Sequence, residues 1–135
     1  MKDIKYLMSY SIAFLAFIGI SIGGFYNYLA VVYTFVFIPV LEVLVKRSDQ
    51  KYTEQEKANR LLDPFFDILL YLNIPIVFGI FFYSLDKLVL ATSITETIGI
   101  ILSASIVMAT NGINVGHELG HRRSLFARTC SKLLY

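Results

Sequence analysis

The feature that most constrains this chain is a long stretch without charge, since no Asp, Glu, Lys or Arg lies between Lys5 and Glu42. One helical crossing of a bilayer needs about 20 apolar residues, so the stretch is too long for a single span. Its middle reads G-G-F-Y-N at positions 23–27, and paired glycines followed by an asparagine favour a turn. We therefore predict a tight helical hairpin made of Tyr6–Gly23 and Tyr26–Val45.

Two further apolar runs follow the clearly hydrophilic segment Lys46–Asp63. They are Phe65–Leu85 and Ile94–Val115, and each is long enough to cross the hydrocarbon layer once. The sequence has no internal repeat and no linker. We predict an all-α integral membrane protein with about four transmembrane helices, folded as a single membrane domain over residues 1–135.

The composition agrees with a membrane protein and argues against two other classes. Charged residues make up 16% of the chain, against about 25% in soluble domains, and hydrophobic residues make up 56%. The net charge of +2 is too small to indicate a nucleic-acid partner, and no basic stripe runs through an aromatic platform. Cys130 is the only cysteine, so no internal disulfide can form, and we expect its side chain to pack as a small apolar group.

The distribution of basic residues predicts the orientation of the spans. With four spans, the N-terminus, segment 46–63 and the segment after Gly116 share one side, which leaves only Lys87 of the 12 Lys and Arg residues on the other. The residues on the basic side are Lys2, Lys5, Lys46, Arg47, Lys51, Lys57, Arg60, Arg122, Arg123, Arg128 and Lys132. Because basic loops stay in the cytoplasm, we predict a multi-pass protein of the inner (plasma) membrane with a cytoplasmic N-terminus.

Two histidines follow the last apolar run directly. His117 and His121 are four residues apart, so on a helix they lie on one face, where two imidazoles can share a metal ion. Glu118 lies between them and could act as a base or as a further ligand. Asn111 and Asn114 precede them at helical spacing, which predicts a polar seam along an otherwise apolar helix. We predict that His117 and His121 are metal ligands, with a purely structural pair as the alternative.

Three functions are compatible with this motif. An intramembrane zinc metalloprotease holds zinc with the two histidines of H-E-x-x-H and activates water with the glutamate, here Glu118. A membrane di-iron oxygenase instead holds two irons with several histidine clusters at the ends of helices. A non-catalytic membrane scaffold needs no metal.

Asp67, one turn inside the third span, is expected to stabilise the start of that helix, with a role at the metal site as the alternative.

A resemblance to a known family favours the oxygenase. The stretch N-V-G-H-E-L-G-H-R-R-S at 114–124 resembles the first histidine box of the membrane-bound alkane 1-monooxygenases and their xylene monooxygenase relatives. Arg122 matches the basic residue that follows this box in the family. The run D-P-F-F-D-I-L-L-Y-L-N-I-P at 63–75 resembles the segment that leads into the next span of those enzymes. With the preceding hairpin, the resemblance covers essentially the whole chain.

The resemblance implies a six-helix, fatty-acid-desaturase-like membrane fold with a non-haem di-iron centre. Such an enzyme hydroxylates the terminal carbon of an alkane with O2 and electrons from a rubredoxin, and the lipid bilayer delivers the alkane or alkyl substrate. The resemblance makes His117 and His121 iron ligands on the cytoplasmic side, with Glu118 orienting a ligand. Arg122 and Arg123 are expected to anchor the helix end at lipid headgroups, with docking of the electron donor as the alternative.

The number of histidines departs from the family pattern. The chain has 2 histidines, whereas the family carries further histidine clusters on later helices. Two imidazoles cannot hold two irons, and the last residues, Leu134-Tyr135, resemble the middle of a helix. We therefore expect this chain to be the N-terminal part of a longer enzyme. By itself, we expect it neither to bind a di-iron centre nor to hydroxylate a substrate.

Overall fold

A computed structural model describes residues 9–44, 64–122 and 124–134, and every regular element within these ranges is a helix. The predicted hydrophilic segment 46–63 and the basic residues of the N-terminus lie outside the described residues. The helices are α1 (Ser9–Ile22), α2 (Gly24–Leu44), α3 (Pro64–Leu90), α4 (Ile94–Gly120) and α5 (Leu125–Leu134).

Two of these helices change their winding along their length. α2 starts as a 3-10 turn over Gly24–Tyr28 and continues as α-helix over Leu29–Val32, π-helix over Tyr33–Phe37 and α-helix over Ile38–Leu44. α4 is α-helical over Ile94–Val107, π-helical over Met108–Ile113 and α-helical again over Asn114–Gly120. A π-helical turn contains more residues than an α-helical turn, so each π segment rotates the side chains that follow it.

Three of the helices are long and apolar enough to cross a membrane, namely Gly24–Leu44, Asp67–Leu90 and Ile94–Gly120. α1 is also apolar, but its stretch Tyr10–Ile22 is shorter, and the predicted start of that span at Tyr6 lies outside the described residues. Many large apolar side chains are more than half exposed on the outside of the bundle, among them Phe14, Phe25, Phe35, Val43, Phe82 and Val89. Such a surface is typical of contact with lipid. The described residues therefore form an all-helical fold with three helices that could each span a membrane, which suggests a membrane protein. The number of about four spans stays a prediction.

α1 and α2 are joined at the pair of glycines where the sequence predicts a turn. Gly23 has a φ of 82° and Gly24 a φ of 59°, and residues with a Cβ rarely adopt these left-handed angles. The turn directs α2 back along α1, where the hydroxyl of Ser11 donates a hydrogen bond to the hydroxyl oxygen of Tyr33 at 2.9 Å. The two helices therefore pack as a hairpin.

The centre of the bundle is built from apolar side chains, half of which are alanines. Its buried members are Ile12, Ala13 and Ala16 of α1, Ala30 of α2, Ile80 of α3 and Val107 of α4. Gly99 of α4 lies so close to α2 that an added Cβ would be 2.7 Å from the Cβ of Asn27. The buried hydroxyl of Ser103 donates to the carbonyl oxygen of Asn27. Small residues thus let α2 and α4 approach closely, which is how many transmembrane helices associate.

A capping network closes the end of the bundle opposite to the histidines. The Oγ of Ser93, at the N-cap of α4, accepts a hydrogen bond from the backbone N–H of Glu96 at 3.2 Å. The carboxylate of Glu96 in turn accepts from the N–H groups of Thr92 at 3.1 Å and Gly24 at 3.2 Å. Ser93 and Glu96 therefore cap α4 in a variant of the capping box, in which the glutamate bonds to the residue before the N-cap and also ties the glycine turn to the start of α4.

Replacing Ser93 with alanine should lower the free energy of unfolding by about 1 kcal/mol, because the N–H of Glu96 loses its acceptor at a helix N-terminus. Unfolding of the chain in mixed micelles, followed by helical circular dichroism, measures the change. Thr129→Ala is the control, since it removes an exposed hydroxyl that donates to the carbonyl oxygen of Leu125 inside α5 at 3.0 Å. The control should change the stability by less than about 0.5 kcal/mol. Equal effects of the two substitutions would contradict the capping role.

Candidate metal site

His117 and His121 lie at the end of α4, and their rings approach each other. The two Nε2 atoms are 3.2 Å apart, the ring centroids are 4.6 Å apart, and the ring planes meet at 85°. Both side chains are exposed at this end of the bundle. The four-residue spacing thus places two ring nitrogens side by side, as expected for neighbours on one helical face.

The separation of the two Nε2 atoms fits a shared metal ion. With metal–nitrogen bonds of about 2.0–2.1 Å, two ligand atoms 3.2 Å apart subtend an angle of about 100° at the metal. This angle lies between the values for octahedral and tetrahedral coordination, so the spacing is compatible with one shared ion. The same distance is that of a hydrogen bond between the two rings in the metal-free chain. The donor chemistry also fits, because neutral imidazole nitrogen suits iron, zinc and copper.

Among the residues that the structure describes, the histidine pair supplies two metal ligands and has no third ligand beside it. Within the described ranges, no group of three or more His, Cys, Asp and Glu side chains is arranged to hold one metal ion. The sequence contains 2 histidines in all, so further imidazole ligands have to come from outside this chain. A di-iron centre therefore fits the described residues only as one bidentate part of a larger ligand set.

Asp67 lies at this end of the bundle as the partner of Arg122. Its Oδ1 accepts from Nη1 of Arg122 at 2.6 Å, and both side chains are partly exposed. Arg122 comes directly after His121 in the chain, so this ion pair connects the first turn of α3 to the end of α4. The expected lipid anchor Arg122 is thus engaged within the protein, while Arg123 lies outside the described residues.

α5 packs against the turn that carries the histidines. The hydroxyl of Ser131 donates to the carbonyl oxygen of Gly116, the residue before His117, at 2.6 Å. The Nε of Arg128 donates to the carbonyl oxygen of Arg122 at 3.3 Å. Cys130 is buried in the cluster between α4 and α5, so it packs as a small apolar group. The contacts between α5 and α4 were not predicted from the sequence.

The lengths of α3 and α4 place the histidines at the edge of the apolar layer. Each helix has 27 residues, which at 1.5 Å per residue gives about 40 Å, or about 10 Å more than the hydrocarbon core. The opposite end is marked by the charged residues Lys87 and Glu96. Asp67 lies about 20 residues from Lys87 along α3, and Gly116 lies about 20 residues from Glu96 along α4. Each distance is about 30 Å, the thickness of the hydrocarbon core. A bilayer that covers this length would leave the histidines just beyond its hydrocarbon, within reach of both lipid and water.

The predicted polar seam along α4 does not extend to Asn111. Asn111 is buried, whereas Asn114 is exposed like His117 and His121. The π-helical segment Met108–Ile113 explains the difference, because it rotates the residues that follow it relative to a continuous α-helix. Short π-helical segments inside α-helices are frequently found at functional sites.

Asn111 instead belongs to a buried polar network across three helices. Its Nδ2 donates to Oδ1 of Asn73 on α3 at 2.8 Å. Nδ2 of Asn73 donates to the carbonyl oxygen of Leu69 at 2.9 Å and to the hydroxyl of Tyr10 on α1 at 3.2 Å. Asn73 was not singled out from the sequence, although a lone amide within the apolar run 65–85 was an available signal.

An apolar groove of about 520 Å³ lies between α1 and α3. It is lined by Tyr10, Ala13, Phe14, Phe17, Pro75, Ile76, Gly79, Ile80 and Tyr83. Its lining is almost entirely carbon, and it opens on the outer surface of the bundle. From Pro75 to Tyr83 the groove follows about 12 Å of α3, within the depth of the hydrocarbon layer.

The chain was compared with known proteins at the levels of family, sequence and structure. No protein-family model, no curated protein and no solved structure matches it. The resemblance of residues 114–124 to a histidine box therefore stays a prediction. Support for a function has to come from the geometry of the site.

Proposed function

We propose that this chain is the N-terminal part of a membrane-bound, non-haem di-iron monooxygenase that hydroxylates the terminal carbon of alkanes. The observation that carries the proposal is the approach of the Nε2 atoms of His117 and His121 to 3.2 Å at the end of a membrane span. In this proposal, segments outside the chain complete a six-helix, desaturase-like fold and supply the remaining iron ligands. The protein lies in the inner (plasma) membrane with the histidines on the cytoplasmic side.

The roles of the chain's own residues follow from their positions. His117 and His121 bind one iron ion through Nε2 as neutral imidazoles, which requires that neither ring is protonated at that atom. Iron in such a centre supplies the activation of O2 for attack on a C–H bond. Glu118, exposed beside the pair, orients a ligand or a bound water by hydrogen bonding. Two of the ligands are thus positioned by a single helix end.

The apolar surface of the bundle gives the substrate a path to this site. An alkane is dissolved in the bilayer, so it loses no hydration when it moves along the exposed phenylalanines of the spans. The groove between α1 and α3 has a volume of about 520 Å³, and the side chains of Phe14, Phe17 and Ile76 offer an alkyl chain only carbon atoms. A substrate of this class would therefore approach the histidines from the membrane side.

The polar surface near the histidines suits a soluble electron donor. Arg128 and Lys132 of α5 are exposed, and Nε of Arg128 contacts the carbonyl oxygen of Arg122, the residue after His121. Positive charge beside a redox site attracts an acidic partner and raises the rate of encounter. A rubredoxin, itself reduced by a separate reductase, is the donor that we propose.

An intramembrane zinc metalloprotease is the alternative that one observation favours. Glu118 follows His117 directly, and in such enzymes the glutamate of H-E-x-x-H activates a zinc-bound water. That function needs a single further carboxylate or imidazole ligand rather than several histidine clusters. The metal that the site prefers and the number of ions it holds therefore separate the two functions.

A chimera tests the proposal. The N-terminal helices and first histidine box of an alkane 1-monooxygenase are replaced by residues 1–135, and the product is expressed with rubredoxin and its reductase. We expect 1-octanol from octane and two irons per chain, and we expect His117→Ala or His121→Ala to abolish both. A chimera that inserts in the membrane but holds no more iron than its His117→Ala variant would contradict the proposal. Zinc binding with cleavage of a transmembrane peptide by the longer native protein would favour the protease.

A further inference from the structure

His117 and His121 are held in place by different parts of the molecule. His117 lies within the α-helical segment Asn114–Gly120, so the helix itself fixes its position. His121 lies one residue beyond that segment, where its N–H bonds to the carbonyl oxygen of Glu118 at 3.3 Å in a tightened last turn. Helix ends fray because their last carbonyl groups lack partners in the helix. The position of the second ring therefore depends on what holds the chain after the helix.

Arg122, the next residue, is held from two sides. Its guanidinium binds the carboxylate of Asp67 on α3 at 2.6 Å, and its carbonyl oxygen accepts from Nε of Arg128 on α5 at 3.3 Å. Its N–H continues the tightened turn by donating to the carbonyl oxygen of Leu119 at 3.2 Å. α3 and α5 thus fix the residue that immediately follows His121.

We infer that Asp67, Arg122 and Arg128 form a clamp that positions the ring of His121 for metal binding. The three residues are positioning residues, since none of them has to touch the metal. The clamp sets the 3.2 Å separation of the Nε2 atoms by fixing the end of the last turn. This inference rests on the proposed metal site, and it assigns a function to Asp67 that the histidine motif does not contain.

A positioning role and a purely electrostatic role predict opposite effects of Arg122→Gln on the affinity for a metal ion. If only charge mattered, Asp67→Asn would weaken the binding of a cation, and Arg122→Gln would strengthen it by removing a neighbouring positive charge. If the clamp positions His121, both substitutions weaken binding, because each one releases the end of α4. The two effects should also not add, since both remove the same contact.

The experiment is a Co2+ titration of the full 135-residue chain in lipid nanodiscs, followed by the visible absorption of the bound ion. We expect Asp67→Asn and Arg122→Gln each to weaken binding about 10–100-fold, as is common for groups that orient a metal ligand. We expect the Co2+ affinity of the double variant to be about the same as that of the single variant with the lower affinity. Arg122→Lys keeps the charge and should restore part of the loss.

Asp86→Asn is the matched control. Asp86 is an exposed carboxylate on the same helix as Asp67, about 28 Å further along it. This substitution changes the net charge by the same amount and should leave Co2+ binding unchanged. If Arg122→Gln binds Co2+ as tightly as the unchanged chain or more tightly, the clamp is wrong even though the metal site is right.

A second measurement does not depend on metal. The chain contains 2 histidines, so ring-labelled histidine gives two sets of nuclear magnetic resonance signals, which His117→Gln and His121→Gln assign. In the metal-free chain, Asp67→Asn and Arg122→Gln should shift or broaden the ring signals of His121 more than those of His117, whose ring lies 4.6 Å away and senses the change only indirectly. If the unchanged chain binds no Co2+, the two histidines do not hold a metal ion without further ligands, and these spectra alone decide on the clamp. Unshifted His121 signals in both variants would overturn it.

Discussion

Replacing Gly19 with alanine should destabilise the protein by about 1–3 kcal/mol or more, the range for overpacked cores. Gly19 faces the start of α2, where an added Cβ would lie 2.2 Å from the carbonyl oxygen of Tyr26 and 3.4 Å from the Cβ of Leu29. The oxygen belongs to the backbone of the turn, so it cannot move away as the end of a flexible side chain could. The methyl group therefore has to push α1 away from α2.

Gly79→Ala is the control for this prediction. Gly79 also lies inside a membrane-spanning helix, but no atom lies within 4 Å of the position that its Cβ would take. Alanine is the better helix former by about 1 kcal/mol, so this substitution should leave the stability unchanged or raise it. Unfolding in mixed micelles at a fixed detergent ratio compares the two variants. Equal stability of the two would contradict the close approach of α1 to Tyr26.

The features that could be predicted from the sequence are those set by composition and by residues of special shape. The spans follow from long uncharged runs, and the turn at 23–24 follows from two glycines that accept positive φ angles. The closeness of His117 and His121 could be predicted from their four-residue spacing, because His117 lies in an α-helical segment and His121 directly follows the end of that segment. These features need no knowledge of the tertiary structure.

The features that were missed depend on contacts between distant parts of the chain or on irregular winding. The ion pair of Asp67 with Arg122 joins residues far apart in sequence, and each of them alone resembles an ordinary helix-end charge. The π-helical segment of α4 has no sequence signal comparable to the regular spacing that predicts a helix. A spacing of 3.6 residues per turn therefore wrongly placed Asn111 in the polar seam. The capping box at Ser93 had a readable pattern and was overlooked.

The burial of Asn111 leads to the second large effect on stability that we expect. Replacing this residue with alanine should cost about 1–3 kcal/mol, because the buried Oδ1 of Asn73 then loses the donor that now lies at 2.8 Å. Asn111 is buried, and the hydrocarbon of a membrane would offer no water to replace the lost partner, which distinguishes this amide from one at the protein surface. The network with Tyr10 and Asn73 therefore loses its connection to α4.

Asn114→Ala is the matched control, since it removes the same side chain one turn later on α4, where it is exposed. We expect a change below about 0.5 kcal/mol for this variant. In a continuous α-helix, Asn111 and Asn114 would point only about 60° apart and would share an environment, so similar effects of the two substitutions are expected without the π-helical segment. A large loss of stability for Asn111→Ala alone, measured by unfolding in mixed micelles, would support the rotated register. Coupling of Asn111→Ala with Asn73→Ala in a double-mutant cycle should then show that the two losses do not add, because both remove the same hydrogen bond.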